Sequence, residues 1–302
     1  MHGHEHPHPS PQTGKVLAVS LTLTVAFVIA EAFAGFRSGS LALLSDAGHN
    51  LTDAAGLALA GVAYLLQSRP ANHTKTFGYH RTGVLAAFAN AVLLVALALG
   101  LFYESYERLR NPQPVAEGIM LWVAAVGLVL NVAIAWGLDS GRADLNLRAA
   151  WIHMIGDAAS CVAIMVGAIV IKYMGWLAID PALSIIIGAA IIWTAWDILK
   201  DSLNILLEGL PKGLNLSDVT HAIRQVSGVL DVHDLHIWSL GSQSHALSCH
   251  VLIEDMPPSA SDSILRNVNR LLSGRYHIHH TTVQFEHVRC ALADISCTIV
   301  KQ

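Results

Sequence analysis

Two pairs of side chains in this sequence share one spacing and one chemistry. His49 and Asp53 stand four residues apart, and so do His153 and Asp157. On an α-helix of 3.6 residues per turn, that spacing puts both side chains of a pair on one face, a turn apart. Two such helices set face to face offer two imidazoles and two carboxylates. That donor set suits a tetrahedral divalent metal such as Zn²⁺, and the carboxylates neutralise its charge in a medium of low dielectric. The four groups must shed protons to bind, so metal uptake releases protons and protonation expels metal. Each pair by itself can also be read as a hydrogen-bonded packing device. Two identically spaced pairs favour a proton-coupled metal site.

The elements that carry these residues follow from composition. The chain has 302 residues, 53% hydrophobic and only 13% charged, with a mean hydropathy of +0.49. A soluble globular chain of ordinary surface is not that apolar. Stretches near residues 16–36, 41–67, 83–104, 118–138, 147–173 and 181–205 are each long enough to cross a bilayer as a helix, which takes roughly 20 apolar residues. The predicted fold is therefore a six-helix transmembrane domain over residues 14–208. The first stretch is too long for a signal-peptide core and reads as a retained span. His49 and Asp53 fall in the second span and His153 and Asp157 in the fifth, with both aspartates near mid-membrane. An ionisable residue at that depth costs about 2.5 to 3.5 kcal/mol on insertion scales, so it usually marks a pathway or a site. Asp46 lies nearer the outer end of the second helix and reads as a cap of its first turn. Glu31, Asn90 and Asn131 line the path or join helices, with packing favoured for the asparagines. Asp180, before Pro181, reads as a helix start, and Cys161 as a space filler.

Residues 1–13 form a polar tail in which His2, His4, His6 and His8 alternate with other residues. Such a tract binds metal loosely and packs no core. From 209 to 302 charge returns and apolar runs shorten. Helical pattern over 216–226, strands over 229–240 and 246–254, a helix over 260–272 and a strand over 281–287 give the order αββαβ. Two helices covering one face of a small antiparallel sheet predict a ferredoxin-like α+β domain. Short-loop Lys and Arg place that domain and both termini in the cytoplasm: Lys15, Arg69, Lys75, Arg81, Arg142, Arg148 and Lys200 share one side, against Arg37, Arg108, Arg110 and Lys172. The net charge of -4 without a basic cluster excludes a nucleic-acid partner. Four cysteines without a CxxC pair suggest neither a disulfide framework nor a zinc ribbon. The 17 histidines again implicate metals and protons.

The segments SLALLSDAGHNLTDA (40–54), KTFGYHR (75–81), NLRAAWIHMIGDA (146–158), IDPALS (179–184), SLNILLEG (202–209) and VHDLHIWSL (232–240) together resemble the cation diffusion facilitator family over nearly the whole chain. The resemblance implies a homodimeric metal/proton antiporter that exports its cargo from the cytoplasm, with six spans and a cytoplasmic ferredoxin-like domain at the dimer interface. His49, Asp53, His153 and Asp157 match the transport site of the zinc-preferring branch, which puts zinc first and cobalt and cadmium behind. The loop after the fourth span is short and has no histidine, which favours a bacterial inner (plasma) membrane protein. Some relatives carry ligands between spans two and three, where this chain has Asn72, Lys75 and Tyr79, so that site is weakened or absent; His73 and His80 lie nearby. The resemblance further implies a regulatory cytoplasmic metal site of His233, His250, Glu286 and Cys290, in a region crowded by His236, His245, His279, His280 and His287. It also implies a charge pair, Arg81 with Glu208, that couples the two domains.

Two other functions remain open at this point. The same ligands could hold a catalytic zinc with an open position, although no HExxH motif or Ser-His-Asp pattern supplies the partner residues. A metal sensor that signals through the soluble domain without moving ions is the other. No organic cofactor is expected.

Overall fold

The structure is a computed structural model that describes residues 11–139, 145–241 and 244–288, with side chains described for 25–139, 148, 150–241 and 244–288. Residues 1–10 of the expected tail lie outside the described residues, and so does Cys290. Six long helices come first: α1 (Pro11–Ser38), α2 (Leu41–Gln67), α3 (Thr82–Arg110), α4 (Glu117–Asp139), α5 (Leu145–Met174) and α6 (Ile179–Leu206). Then follow α7 (Leu216–Arg224), β1 (Asp231–Gly241), β2 (Ser244–Leu252), α8 (Pro258–Tyr276) and β3 (Ile278–Glu286). Each long helix coincides with one predicted apolar stretch. Helix α1 starts at Pro11 rather than after Thr13, because proline's fixed φ and missing N–H suit a first helical position.

Among the described residues, four segments, Thr82–Arg110, Glu117–Asp139, Ala150–Met174 and Ile179–Leu206, are long and apolar enough to cross a membrane by length and composition. Helix α2 is as long, at 27 residues, but Asp46, His49, Asn50 and Asp53 lower its hydropathy. The polar groups that make α2 chemically interesting also weaken its membrane signature.

The chain divides into two compact units. One takes residues up to Ala58 together with Asn90–Trp196. Its core joins Leu43 of α2, Leu94 of α3, Met120 of α4, Ile164 of α5 and Ile187 and Ile191 of α6. Large apolar side chains such as Trp122, Val129, Trp136 and Trp193 are exposed, as on a surface that meets hydrocarbon instead of water.

The start of α2 is held from far along the chain. Asp180, fully buried, accepts from Ser40 Oγ at 2.6 Å, from the Leu41 N–H at 2.7 Å and from the Ala42 N–H at 3.2 Å. These are orphan donors of a helix N-terminus, and a carboxylate there also meets the positive end of the helix dipole. Asp180 does lie in the first turn of α6, as its place before Pro181 suggested, but its carboxylate serves α2. Asp46 is correspondingly not a cap: it lies in the second turn of α2 and is 1% exposed.

The second unit takes Leu59–Ala89 and the chain from Asp197 onward. Its sheet has the order β1-β2-β3. Strands β1 and β2 pair antiparallel, but β2 and β3 pair parallel, so the sheet is mixed and the all-antiparallel expectation is corrected. The reason is connection length: α8 carries the chain back along the sheet, which a short hairpin cannot do. Val219 and Ile223 of α7, Ile264, Val268 and Leu272 of α8, and Leu247 and Val251 of β2 form the core beneath it. Asn215 caps α7 by accepting from the Ser217 N–H at 2.8 Å.

Candidate metal centres

Helices α2 and α5 bring the two His-x-x-x-Asp pairs together within the first unit. Asp53 Oδ2 lies 3.6 Å from His49 Nε2 on its own helix and 3.3 Å from His153 Nε2 on α5. His153 Nε2 lies 3.6 Å from Asp157 Oδ2. The two imidazoles meet edge to face, ring centroids 5.9 Å apart. One ligand atom each from His49, His153 and Asp157 fit within 4.8 Å of one another. Asp157 is buried, and His49, Asp53 and His153 are progressively more open.

These separations have a chemical meaning. Donors bound at about 2.0 to 2.1 Å around a tetrahedral zinc stand about 3.3 to 3.4 Å apart along the edges of the tetrahedron. The observed 3.3 and 3.6 Å are close to that spacing. They are longer than a strong imidazole–carboxylate hydrogen bond. Asp53 Oδ2 and His49 Nδ1 are buried without a hydrogen-bond partner, a costly arrangement unless something else engages them.

Small residues let the neighbouring helix close on this face. A Cβ at Gly48 would come 3.1 Å from Leu97, and one at Gly56 would come 2.7 Å from the Asn90 amide. Asn90 therefore packs on α2, its Oδ1 without a partner, while Asn131 donates to Cys161 Sγ across α4 and α5.

The sheet of the second unit builds another cluster. His233 on β1 and His250 on β2 are register partners, so their side chains share a face. Glu286 on β3 stands two residues beyond the partner of His250 and points the same way. Its Oε2 is 3.0 Å from His233 Nε2 and its Oε1 2.8 Å from His250 Nδ1. His233 is 6% exposed, and its Nε2 and Glu286 Oε2 both lack a hydrogen-bond partner. Three of the four residues expected here converge; Cys290 falls outside the described residues.

Sequence reasoning missed Asp234. A bulge between His233 and His236 coincides with a left-handed backbone at Asp234, φ 51°. Its carboxylate lies 3.1 Å from His236 Nε2 and 3.8 Å from His250 Nε2. The aspartate between two histidines of one strand was the available signal.

The remaining histidines scatter. His245 bonds Ser239 Oγ at 3.2 Å, and burial together with neighbouring His277 pulls its pKa below the usual value. His280 meets Phe77 edge-on, and His287 faces the Glu254 carbonyl. Burial pushes the Cys249 thiol up to about 12, which leaves it inert.

Between α2 and α3, Asn72 builds a turn. Its Oδ1 accepts from the backbone N–H groups of Thr74 and Lys75 at 3.0 and 2.8 Å, and its amide reaches Tyr79 OH at 3.4 Å. Asn72 and Tyr79 are thereby engaged in shaping the loop. Arg81 Nη2 donates to Glu208 Oε1 at 2.9 Å, with both side chains exposed.

Comparison with known proteins agrees with this architecture. Residues 17–207 match the cation efflux transmembrane domain, and residues 211–288 match the cation efflux protein cytoplasmic domain. A Bacillus subtilis protein named cadmium, cobalt and zinc/H(+)-K(+) antiporter is 41% identical over 276 residues, covering 90% of this chain and 88% of that protein. The Escherichia coli zinc transporter ZitB is 38% identical over 277 residues, covering 91% of this chain and 88% of that protein. Among solved structures, the metal-bound C-terminal domain of the CzcD transporter of Cuprividus metallidurans is 34% identical. It covers 24% of this chain and 99% of that one, at a TM-score of 0.22. The two domain matches in tandem, and relatives aligned over about nine-tenths of the chain, establish that this protein belongs to the cation efflux family.

Proposed function

We propose that the protein exports zinc, with cobalt and cadmium as secondary cargo, from the cytoplasm in exchange for protons. The carrying observation is the cluster of His49, Asp53, His153 and Asp157 on two facing helices, spaced like the donors of a tetrahedral metal and holding unpartnered buried atoms. Zinc held there meets two carboxylates that balance its charge and two neutral imidazoles. Protons arriving at the same four groups compete with it, and alternation of access between the two sides turns that competition into antiport. The names of the relatives, a zinc transporter and a cadmium, cobalt and zinc antiporter, agree with this cargo and exchange.

In this reading residues 14–208 cross the bilayer six times, α1 and α2 included, with both termini on the cytoplasmic side of the inner membrane. The C-terminal domain, 209–302, is a variant of the ferredoxin-like arrangement and joins two copies as a homodimer. His233, His250 and Glu286, completed by Cys290, hold a regulatory zinc. Arg81 and Glu208 link the loop before α3 to the end of α6. The enzyme and sensor alternatives have no support among the named relatives.

The test is zinc flux into proteoliposomes across a pH gradient, compared with cobalt, cadmium and manganese. Exchange is expected for the unsubstituted protein, and His49→Ala and Asp157→Ala are expected to abolish it. Undiminished exchange in those variants would refute the assignment.

A further inference from the structure

Glu31 on α1 and Asp46 on α2 form the most unusual group in the molecule that the transport cluster does not use. Glu31 is 0% exposed and Asp46 is 1% exposed. The two carboxylates face each other, and Asn50 faces Glu31 as well. Glu31 Oε1, Glu31 Oε2 and Asp46 Oδ2 are all buried without a hydrogen-bond partner of ordinary geometry. Three buried acceptor oxygens thus stand on two facing side chains, with the Asn50 amide as a nearby donor group. Ionised carboxylates do not stay buried in that state, because desolvation and mutual repulsion both oppose it.

Their charge has to be neutralised there, by protons or by a cation. A single shared proton joins two of the three oxygens and leaves the third orphaned. A divalent cation engages all three at once, which hard oxygen ligands and borderline zinc both allow. Other polar groups surround the pair. The Asn50 amide is at Glu31, and Cys161, fully buried on α5, lies in the field of both carboxylates.

We propose that Glu31 and Asp46 form a second divalent-cation site in the helical domain, a stop that the cargo occupies on leaving His49, Asp53, His153 and Asp157. Asp46 precedes His49 by one turn of α2, and Asp157 interacts electrostatically with both acids. The pair lies toward the end of α1 and the beginning of α2, the ends that the six-span reading puts outside. A carrier needs sites weak enough to leave as well as strong enough to enter, and an acid pair without imidazoles holds zinc less firmly than the mixed cluster. The release role rests on the transport reading; the binding does not.

The experiment counts zinc bound per protomer by equilibrium dialysis of the full chain in lipid nanodiscs. The background is His49→Ala/His153→Ala, which weakens the first cluster so that the pair fills without repulsion from a neighbouring cation. Adding Glu31→Gln and Asp46→Asn is expected to remove one equivalent. Glu31→His, which restores a metal ligand without a carboxylate, is expected to bring it back. An unchanged count on adding the amide substitutions would overturn the site and leave the pair holding protons only. A second reading uses the otherwise intact chain: Glu31→Gln slows zinc flux at least about tenfold and Glu31→His recovers most of it. Equal loss in both variants would assign Glu31 a structural part and overturn the site. Because equivalents are counted without flux, absence of exchange by the unsubstituted protein would remove the transport reading and leave the site standing.

Discussion

Removing the Asp180 carboxylate tests how the first turn of α2 is held. Its side chain accepts from one hydroxyl and two backbone N–H groups, all buried, at 2.6, 2.7 and 3.2 Å. In Asp180→Ala these donors lose their acceptor in a buried setting, and a buried donor left unsatisfied costs about 1 to 3 kcal/mol. The two backbone donors alone then amount to about 2 to 6 kcal/mol, and the lost charge–dipole attraction adds about 0.3 to 1 kcal/mol. Asp180→Asn keeps one carbonyl acceptor in place, so its cost is set by about one lost bond and the charge, roughly 1 to 3 kcal/mol. Thermal unfolding of the full-length protein in detergent, followed by fluorescence-detected size exclusion, should rank wild type above Asp180→Asn above Asp180→Ala. At about 2 to 4 °C per kcal/mol, the alanine variant should fall by roughly 10 °C. Because α2 carries His49 and Asp53, zinc affinity should weaken in the same order. If Asp180→Ala unfolds like a variant of the exposed Asp262, the capping account is wrong.

Asp53→Asn should weaken zinc binding more than Asp46→Asn does at the first cluster, because Asp53 Oδ2 approaches both histidines; titration calorimetry reads the difference. Chelation of zinc should lower the thermal stability of the wild-type protein. Glu286→Gln should remove part of that dependence, since Glu286 joins His233 and His250, with the effect read by melting with and without chelator. His245 has a folded pKa held below its ordinary 6.5, so the unfolded chain binds its proton first as pH falls. Stability is then level above about 6.5 and declines below it, and His245→Asn should remove that component of the pH–melting curve. Breaking the exposed Arg81–Glu208 pair with Glu208→Gln should cost about 0.2 to 1 kcal/mol, a shift of a few degrees at most, restored by exchanging the two charges.

The local geometry of the cluster of His49, Asp53, His153 and Asp157 was legible in the sequence because it needs only helical periodicity. A His and an Asp four residues apart share a face whatever surrounds the helix. The six apolar stretches likewise announced six helices, since length and hydropathy are properties of a segment. The order of helices and strands in the C-terminal domain followed from where apolar periodicity changes.

What required the tertiary structure was every relation between segments. Periodicity does not say that the faces of α2 and α5 meet, or that Asp53 Oδ2 is the atom that touches both histidines. Asp46 reads locally as a cap because it stands near a helix start. Asp180 takes that role from 140 positions away in the chain, where no local pattern connects it to Ser40. The parallel pairing of β3 depends on α8 returning the chain across the sheet, and the Asp234 contact with His250 depends on a bulge that strand alternation cannot show. The meeting of Glu31 with Asp46 depends on how α1 and α2 pack. The chain alone sets which side chains share an element's face, because that follows from bond geometry. Which faces meet is decided by packing, because burying polar atoms is tolerable only where another segment, a proton or a metal satisfies them.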